Sequence, residues 1–169
     1  GSPSRPIKAD RNDVREFVRN LPFKLTGDQG KAIGDLLDDL EQNVAMNRLL
    51  QGDVGSGKTI VAACGILACA CVGAQSAIMA PTQLLAEQHY ETLVEAFHRQ
   101  NICIELVTGA LSKPKRRKIR ERVSAGDIDV VVVTQALISH EAEFASLSFV
   151  GIDELHRFGV HQRARIRGL

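Results

Sequence analysis

The chain lacks the long apolar segments that mark membrane proteins. No stretch approaches the roughly 20 uninterrupted apolar residues of a bilayer-spanning helix. No pattern of a secretory signal peptide opens the chain either. We therefore expect a cytoplasmic protein. Because Gly1-Ser2-Pro3 looks like a cloning remnant, we expect the natural chain to start further upstream, and the presence of a targeting segment there stays open.

A large excess of charge and paired cysteines are missing as well. The net charge is +1, so any argument for nucleic-acid binding must rest on local patches. The four cysteines, at positions 64, 69, 71 and 103, show no C-x-x-C spacing and no nearby histidine cluster. This pattern predicts small, buried core residues in a reducing compartment, and argues against a metal site or a disulfide framework.

What the sequence does contain is a regular alternation of helical and extended patterns. With 169 residues and 44% hydrophobic content, it can form one layered α/β core. The predicted strands are residues 48–51, 76–80, 102–107, 128–133 and 148–153. The predicted helices are residues 13–20, 26–42, 59–68, 82–99 and 113–124. Strands that are apolar on both faces and separated by helices predict a parallel sheet with helices on both faces.

The most informative segment is residues 52–59, which match the phosphate-loop pattern G-x-x-x-x-G-K-[ST]. Its glycines let backbone N–H groups curl around an anion, Lys58 supplies a charge to the outer phosphates, and the Thr59 hydroxyl is placed to hold magnesium. A strand before it and a helix after it put a helix N-terminus beneath the phosphates. Taken alone, these eight residues could match by chance in a glycine-rich turn. The residues predicted to bind nucleotide are Gly52, Asp53, Val54, Gly55, Ser56, Gly57, Lys58 and Thr59.

Two adjacent carboxylates lie at the end of the last predicted strand. Asp153 at the tip of this strand suits a magnesium ligand that acts through water, and Glu154 is placed to polarise the attacking water. The alternative is a pair of solvated acids at a strand end. The phosphate loop in the same chain favours the catalytic interpretation. In parallel sheets ligands bind at the carboxyl ends of strands, so the two motifs are expected to meet at one edge.

Residues 153–156, Asp-Glu-Leu-His, resemble the DExH box of superfamily-two helicases. Further segments match the same family in order. In chain order, they are residues 23–29, residues 80–89 at the end of the predicted strand 76–80, the pair Thr108-Gly109, and residues 134–137. The resemblance is most specific at residues 52–59 and 153–163. There the chain resembles the RecG family of bacterial ATP-dependent DNA helicases, which remodel stalled replication forks. The resemblance covers about residues 20–165.

This resemblance implies a RecA-like P-loop NTPase fold and a set of roles. Phe23 and Gln29 would contact the base of ATP, and His156 would link the nucleotide site to the DNA-facing motifs. Lys58, Asp153 and Glu154 would be catalytic, with Mg²⁺ held by Thr59 and, through water, by Asp153. Contacts to the backbone of one DNA strand, independent of base sequence, are implied for Thr82, Thr108, Gly109 and Thr134. A cytoplasmic, nucleoid-associated bacterial protein acting on branched DNA in repair and recombination is expected. Leu155 departs from the expected glutamine, at a position that tolerates change.

The resemblance also implies that the motor is incomplete. Residues 1–20 are expected to be a linker and helix from an upstream domain, and residues 21–169 a truncated first RecA-like domain. The strand that normally lies between the phosphate-loop strand and the Asp153 strand should fall beyond residue 169. We therefore expect a gap or a rearranged order in the sheet, with exposed edges that favour self-association. Weak nucleotide binding and little hydrolysis are expected of this chain alone.

Other interpretations stay open at this point. Residues 113–122 form a basic run that could bind DNA, although a solvated helix face explains it more simply. His89 and His98 are predicted to be ordinary packing or helix-surface residues. The transcription-repair coupling translocase and RNA-directed helicases share the phosphate loop. A non-catalytic nucleotide-binding module is the remaining alternative, and the intact Lys58, Thr59, Asp153 and Glu154 argue against it.

Overall fold

A computed structural model of the chain describes residues 11–21, 24–40, 46–50, 58–134, 144–145 and 147–153. Within these ranges the chain alternates between helices and strands. The helices are α1 (Arg11–Arg19), α2 (Gly27–Leu40), α3 (Lys58–Cys71), α4 (Gln83–Ala96) and α5 (Lys113–Ala125). The strands are β1 (Met46–Leu50), β2 (Gln75–Ala80), β3 (Ile104–Val107), β4 (Val130–Thr134) and β5 (Leu147–Asp153). Each predicted element is present, with ends shifted by a few residues.

The strands form one parallel sheet in the order β1-β5-β2-β4-β3. β2 and β4 are buried along almost their whole length, whereas the edge strand β3 is half-buried. The central strands are buried because successive side chains point to opposite faces and both faces are covered. Ile78 and Val132 enter the core beneath α1 to α4, while Val131 packs on the other face with Val123 of α5. The predicted parallel sheet with helices on both faces is confirmed.

The predicted gap in the sheet is wrong for the described residues. β1 pairs directly with β5 along its whole length, from Met46 opposite Phe149 to Leu50 opposite Asp153. Of the two expected outcomes, a gap or a rearranged strand order, the direct pairing of β1 with β5 is the second. The edge of an unpaired strand carries backbone N–H and C=O groups without partners. Two such strands gain backbone hydrogen bonds by pairing, which gives a physical reason for the direct contact. β1 and β3 lie at the two edges of the described sheet.

Local side-chain chemistry fixes where the helices begin. At α2, the Thr26 hydroxyl accepts a hydrogen bond from the Gln29 backbone N–H (3.1 Å), and the Thr26 N–H donates to Gln29 Oε1 (2.9 Å). This reciprocal pair is a capping box, which satisfies two backbone donors at once. At α5, Ser112 caps the first turn and Gly126 ends the helix in the left-handed conformation (φ 83°).

The cysteine prediction is confirmed at two positions and wrong at one. Cys64 and Cys69 are fully buried on the inner face of α3, and burial raises the pKa of each thiol to about 12. Cys71 is exposed, because it ends α3 where the helix leaves the core, and its thiol lies 3.5 Å from the Asp13 carboxylate. Cys103 is half-buried. All four are free thiols.

Within the described ranges, none of the helices combines the length and the apolar character that crossing a lipid bilayer requires.

Candidate functional site

The parallel register aligns the carboxyl ends of the strands at one edge of the sheet. Leu50 lies opposite Asp153 and Ala80 lies opposite Thr134. α3 begins at Lys58, shortly after β1 ends, so its N-terminus points toward the same edge. A strand therefore precedes the phosphate-loop segment and a helix follows it, as predicted, with the positive end of a 14-residue helix at the sheet edge, while residues 51–57 lie outside the described residues.

At this edge one histidine connects the two principal motifs. The Thr59 hydroxyl lies 3.0 Å from His89 Nδ1, and His89 Nε2 lies 2.6 Å from Asp153 Oδ2. Asp153 is 0% exposed and His89 is 3% exposed. His89 is 30 residues from Thr59 and 64 residues from Asp153 along the chain. The fold thus brings three distant side chains into one polar row, which is buried at His89 and Asp153 and half-buried at Thr59.

The sequence interpretation of His89 as an ordinary packing or surface residue misses this arrangement. The spacing of Leu84, Leu85, His89 and Leu93 predicts a packed helix. This is confirmed for His89 and Leu93, which are buried, and wrong for Leu84, which is 64% exposed. Nothing in the local pattern indicates which partners the ring meets. A buried histidine needs hydrogen-bond partners for both ring nitrogens. A histidine on the inner face of a helix therefore indicates that two polar groups lie nearby, without saying which ones. His98, by contrast, is exposed, as predicted, with Nδ1 2.9 Å from the Glu95 carbonyl oxygen.

Gln29 is half-buried and its side-chain oxygen is engaged in the capping box of α2. The oxygen therefore orients the amide group relative to the helix. This gives Gln29 a structural role beside the base contact that the resemblance implies.

The four residues expected at nucleic acid divide into two groups. Thr82 is exposed and caps α4, where its hydroxyl oxygen accepts from the Leu85 N–H (3.2 Å). Gly109 is also exposed. Thr108 and Thr134 are buried, with 4% and 6% of their surface exposed. The Thr108 hydroxyl accepts from the Ala110 N–H (3.3 Å), so it stabilises the turn that carries Gly109.

Several expected site residues lie outside the described residues. These are Phe23, Gly52, Asp53, Val54, Gly55, Ser56, Gly57, Glu154 and His156.

The basic helix α5 is exposed along most of its length, which agrees with a solvated face. Arg122 pairs with Glu105 at 2.7 Å, and this hydrogen bond raises the pKa of the Arg122 guanidinium. Among the residues that the structure describes, no group of three or more His, Cys, Asp and Glu side chains is placed to hold a metal ion.

Comparison with known proteins identifies the family. The model of the DEAD/DEAH box helicase family matches residues 26–169. The chain belongs to the DEAD/DEAH box helicase family. As a helicase domain, it belongs to a class of proteins that uses ATP.

Within this family the helicase domain is similar to RecG proteins, as the motifs predicted. It is 45% identical to the ATP-dependent DNA helicase RecG of Bacillus subtilis, over 92% of this chain and 23% of that protein. It is 47% identical to RecG of Thermotoga maritima, over 94% of this chain and 20% of that protein. The chain therefore spans about a fifth to a quarter of these relatives.

Solved structures agree with these sequence matches. The structure of RecG bound to a three-way DNA junction has a TM-score of 0.81 and 44% identity, over 93% of this chain and 22% of that chain. A hypothetical ATP-dependent RNA helicase from Sulfolobus tokodaii has a TM-score of 0.61 over 93% of this chain and 54% of that chain. At 18% identity it supports the fold alone. The RecA-like helicase fold is confirmed.

Proposed function

We propose that this chain is the ATP-binding motor domain of a DNA helicase or translocase that remodels branched DNA in repair and recombination. The observation that carries the proposal is the meeting of Thr59 and Asp153 at one buried histidine. One residue ends the phosphate-loop motif and the other opens the DExH box. Their proximity is what ATP hydrolysis in this family requires. Similarity to a RecG protein bound to a three-way junction supports branched DNA as the partner.

The donor groups at the site fit magnesium. Mg²⁺ prefers hard oxygen ligands and is usually held by one or two carboxylates and substrate phosphates, not by an all-protein cage. The Thr59 hydroxyl and the buried Asp153 carboxylate supply such oxygens, and the described residues contain no competing cluster. When bound, the ion would neutralise charge on the phosphates. We propose Thr59 as a ligand and Asp153 as a ligand through water.

We propose that the remaining nucleotide-site residues act on ATP as their motifs imply. Lys58 and residues 52–57 hold the phosphates, and Glu154 orients the hydrolytic water. Phe23 and Gln29 bind the base. His156 couples this site to the DNA-facing motifs. These residues belong to residues 21–169, which we propose as the first RecA-like domain, preceded by a linker and helix in residues 1–20.

DNA contact is proposed at the exposed N-terminal side of α4 and at the Gly109 turn. The first N–H groups of a helix lack intrahelical partners and bind phosphates well. Thr82 accepts a capping hydrogen bond, and its O–H can still donate. Thr108 and Thr134 are buried, so we propose that they act by supporting the backbone at this edge. Contacts of this kind read no base sequence. We further propose a cytoplasmic protein associated with the nucleoid, whose β1 and β3 edges allow self-association.

The test is binding of a fluorescent ATP analogue to the chain with Mg²⁺ present. Lys58→Ala is expected to weaken binding about 10- to 100-fold, because hydrogen bonds to charged groups contribute about 1.5–3 kcal/mol. Lys31→Ala, which removes the same charge from an exposed position on α2, serves as the matched control and should bind like the parent. Equal affinity of the Lys58 variant and the parent would overturn the assignment.

Hydrolysis gives the second readout. The chain alone is expected to hydrolyse ATP slowly. Branched DNA, and not RNA, is expected to give the larger stimulation. Strong stimulation by RNA would favour an RNA-directed helicase instead, and strong DNA-stimulated hydrolysis by this chain alone would contradict the expectation of a weak motor.

A further inference from the structure

His89 is a buried polar group that the proposed chemistry does not use. Its side chain is 4% exposed, and its ring lies between a hydroxyl and a carboxylate, at 3.0 Å and 2.6 Å. Both oxygens belong to residues proposed to hold magnesium. A histidine that only fills space in a core needs any two partners. This one contacts the two side chains whose relative position sets the metal site.

The hydrogen bonds have a definite direction when the ring is neutral and the carboxylate ionised. An ionised carboxylate can only accept, so Nε2–H donates to Asp153 Oδ2. Nδ1 then carries no hydrogen and accepts from the Thr59 hydroxyl. In this arrangement the Thr59 O–H points toward the ring and its oxygen lone pairs point away. A hydroxyl oriented this way presents a lone pair to a cation, as a hard-oxygen ligand requires.

The ring is held by a helix that also reaches the proposed DNA side. Thr82 caps α4 and His89 follows seven residues later, about 10 Å along the helix axis. Ala86 and Leu93, on either side of His89, are 0% exposed and fix α4 in the core. A shift of the N-terminus of α4 would therefore move the ring relative to both oxygens.

We propose that His89 is a positioning residue that orients the Thr59 hydroxyl and the Asp153 carboxylate for Mg²⁺, and that α4 thereby links DNA contact at its N-terminus to the metal-bound nucleotide. The proposal rests on the proposed nucleotide function. Partners that orient metal ligands typically change metal affinity or activity 10- to 100-fold when they are removed. A residue that only fills the core has no such selective effect on metal-dependent binding.

The experiment measures the affinity of the chain for a fluorescent ATP analogue in Mg²⁺ and in EDTA. The ratio of the two affinities isolates the part of binding that depends on the metal. In His89→Ala this ratio is expected to fall about tenfold or more, with a smaller change in EDTA. His89→Gln retains an amide N–H near the position of Nε2 and is expected to recover part of the ratio. Thermal unfolding of each variant shows that it is folded at the assay temperature.

Leu93→Ala is the matched control. It truncates another buried residue one turn further along α4, whose apolar side chain cannot hydrogen-bond to Thr59 or Asp153. It is expected to lower the melting temperature and to leave the ratio unchanged. A ratio in His89→Ala equal to that of the parent, or a fall matched by Leu93→Ala, overturns the positioning role. A parent chain that binds no nucleotide overturns the proposed function and this inference with it.

The free chain gives a readout that needs neither nucleotide nor a substituted protein. Long-range ¹⁵N–¹H NMR of the histidine rings distinguishes the two neutral tautomers. The positioning role expects hydrogen on Nε2, where the Asp153 carboxylate accepts it. Hydrogen on Nδ1 alone would overturn it, because Nε2 could not then donate to the carboxylate. DNA binding is expected to shift the His89 signals in the parent, and unchanged signals would overturn the link through α4.

Discussion

The two proposed functional regions at the carboxyl edge of the sheet are built differently. At the nucleotide end, His89 and Asp153 are buried side chains joined by short hydrogen bonds. At the proposed DNA end, Thr82 and Gly109 are exposed and belong to a helix cap and a turn. A metal site needs oxygens at fixed separations, which only a packed interior can hold. Contact with a uniform phosphate backbone needs accessible N–H and O–H groups and tolerates looser geometry.

The largest effect that tests this contrast concerns the packing of α3, which carries Thr59. A Cβ on Gly65 would lie 2.8 Å from Leu36 Cδ2 and 3.3 Å from Phe149 Cε2. Overpacking costs about 1–3 kcal/mol, and alanine in a helix regains about 0.5–1 kcal/mol. Gly65→Ala is therefore expected to destabilise the fold by about 1–2 kcal/mol and to weaken nucleotide binding. Urea unfolding and nucleotide titration measure the two effects.

A matched variant exists in α2. A Cβ on Gly34 meets nothing within 4 Å, and its φ is not positive. Gly34→Ala should stabilise the fold by about 0.5–1 kcal/mol, because alanine loses less backbone entropy in a helix. Equal effects of the two alanine substitutions would mean that the close packing of α3 does not support the nucleotide end.

The next effect concerns the thiols of α3. Burial raises the pKa of Cys64 from 9.0 to about 12. Above pH 9 the thiol ionises in the unfolded chain but stays protonated in the folded one. The contribution of this thiol to the free energy of unfolding is therefore complete below pH 9 and is lost as the pH rises toward 12. Near pH 10 the loss is expected to be about 1 kcal/mol for this thiol.

Urea unfolding of the parent and Cys64→Ala at about pH 8 and about pH 10 measures this loss, and the variant should lose less stability on going to the higher pH. At the lower pH, a thiol reagent should label Cys71 first and Cys103 next, with Cys64 and Cys69 protected. Rapid labelling of Cys64 in the folded chain would show that the reagent reaches the inner face of α3, and that the proposed nucleotide end is not a packed interior.

The smallest effect is expected at the exposed end. A Cβ on Gly109 meets nothing within 4 Å, so Gly109→Asp adds a negative charge without a clash. Repulsion between exposed charges amounts to about 0.2–1 kcal/mol, so DNA affinity should fall by about fivefold at most, and less at high salt. Nucleotide affinity should not change.

Gly30→Asp places the same charge on an exposed, unobstructed position of α2 and controls for net charge. Fluorescence anisotropy with a labelled three-way junction measures both variants. If Gly30→Asp weakens DNA binding as much as Gly109→Asp does, the Gly109 turn has no special place in the interface.

Much of the fold was predictable because its signals are local. The Thr26 cap, the Thr82 cap and the β-branched strand at 130–133 depend on neighbours within a few residues, and each is present. Pairing across the chain was harder to predict. Gln75 lies one residue before the predicted strand at 76–80, yet it is 2% exposed and its amide donates to the carbonyls of Val123 and Ile128. Such partners come from residues about 50 positions away, which no local pattern identifies.

The sequence by itself determined the helicase family and the parallel sheet, and it singled out Thr59 and Asp153 as candidate site residues, because spaced motifs and apolar periodicity encode these features directly. Only the tertiary structure decided that β1 pairs with β5 and that His89 lies between Thr59 and Asp153. The physical reason is that strand neighbours and buried hydrogen-bond partners are chosen by the packing of distant segments. A buried imidazole takes whatever partners that packing provides, and here it provides the two proposed magnesium ligands.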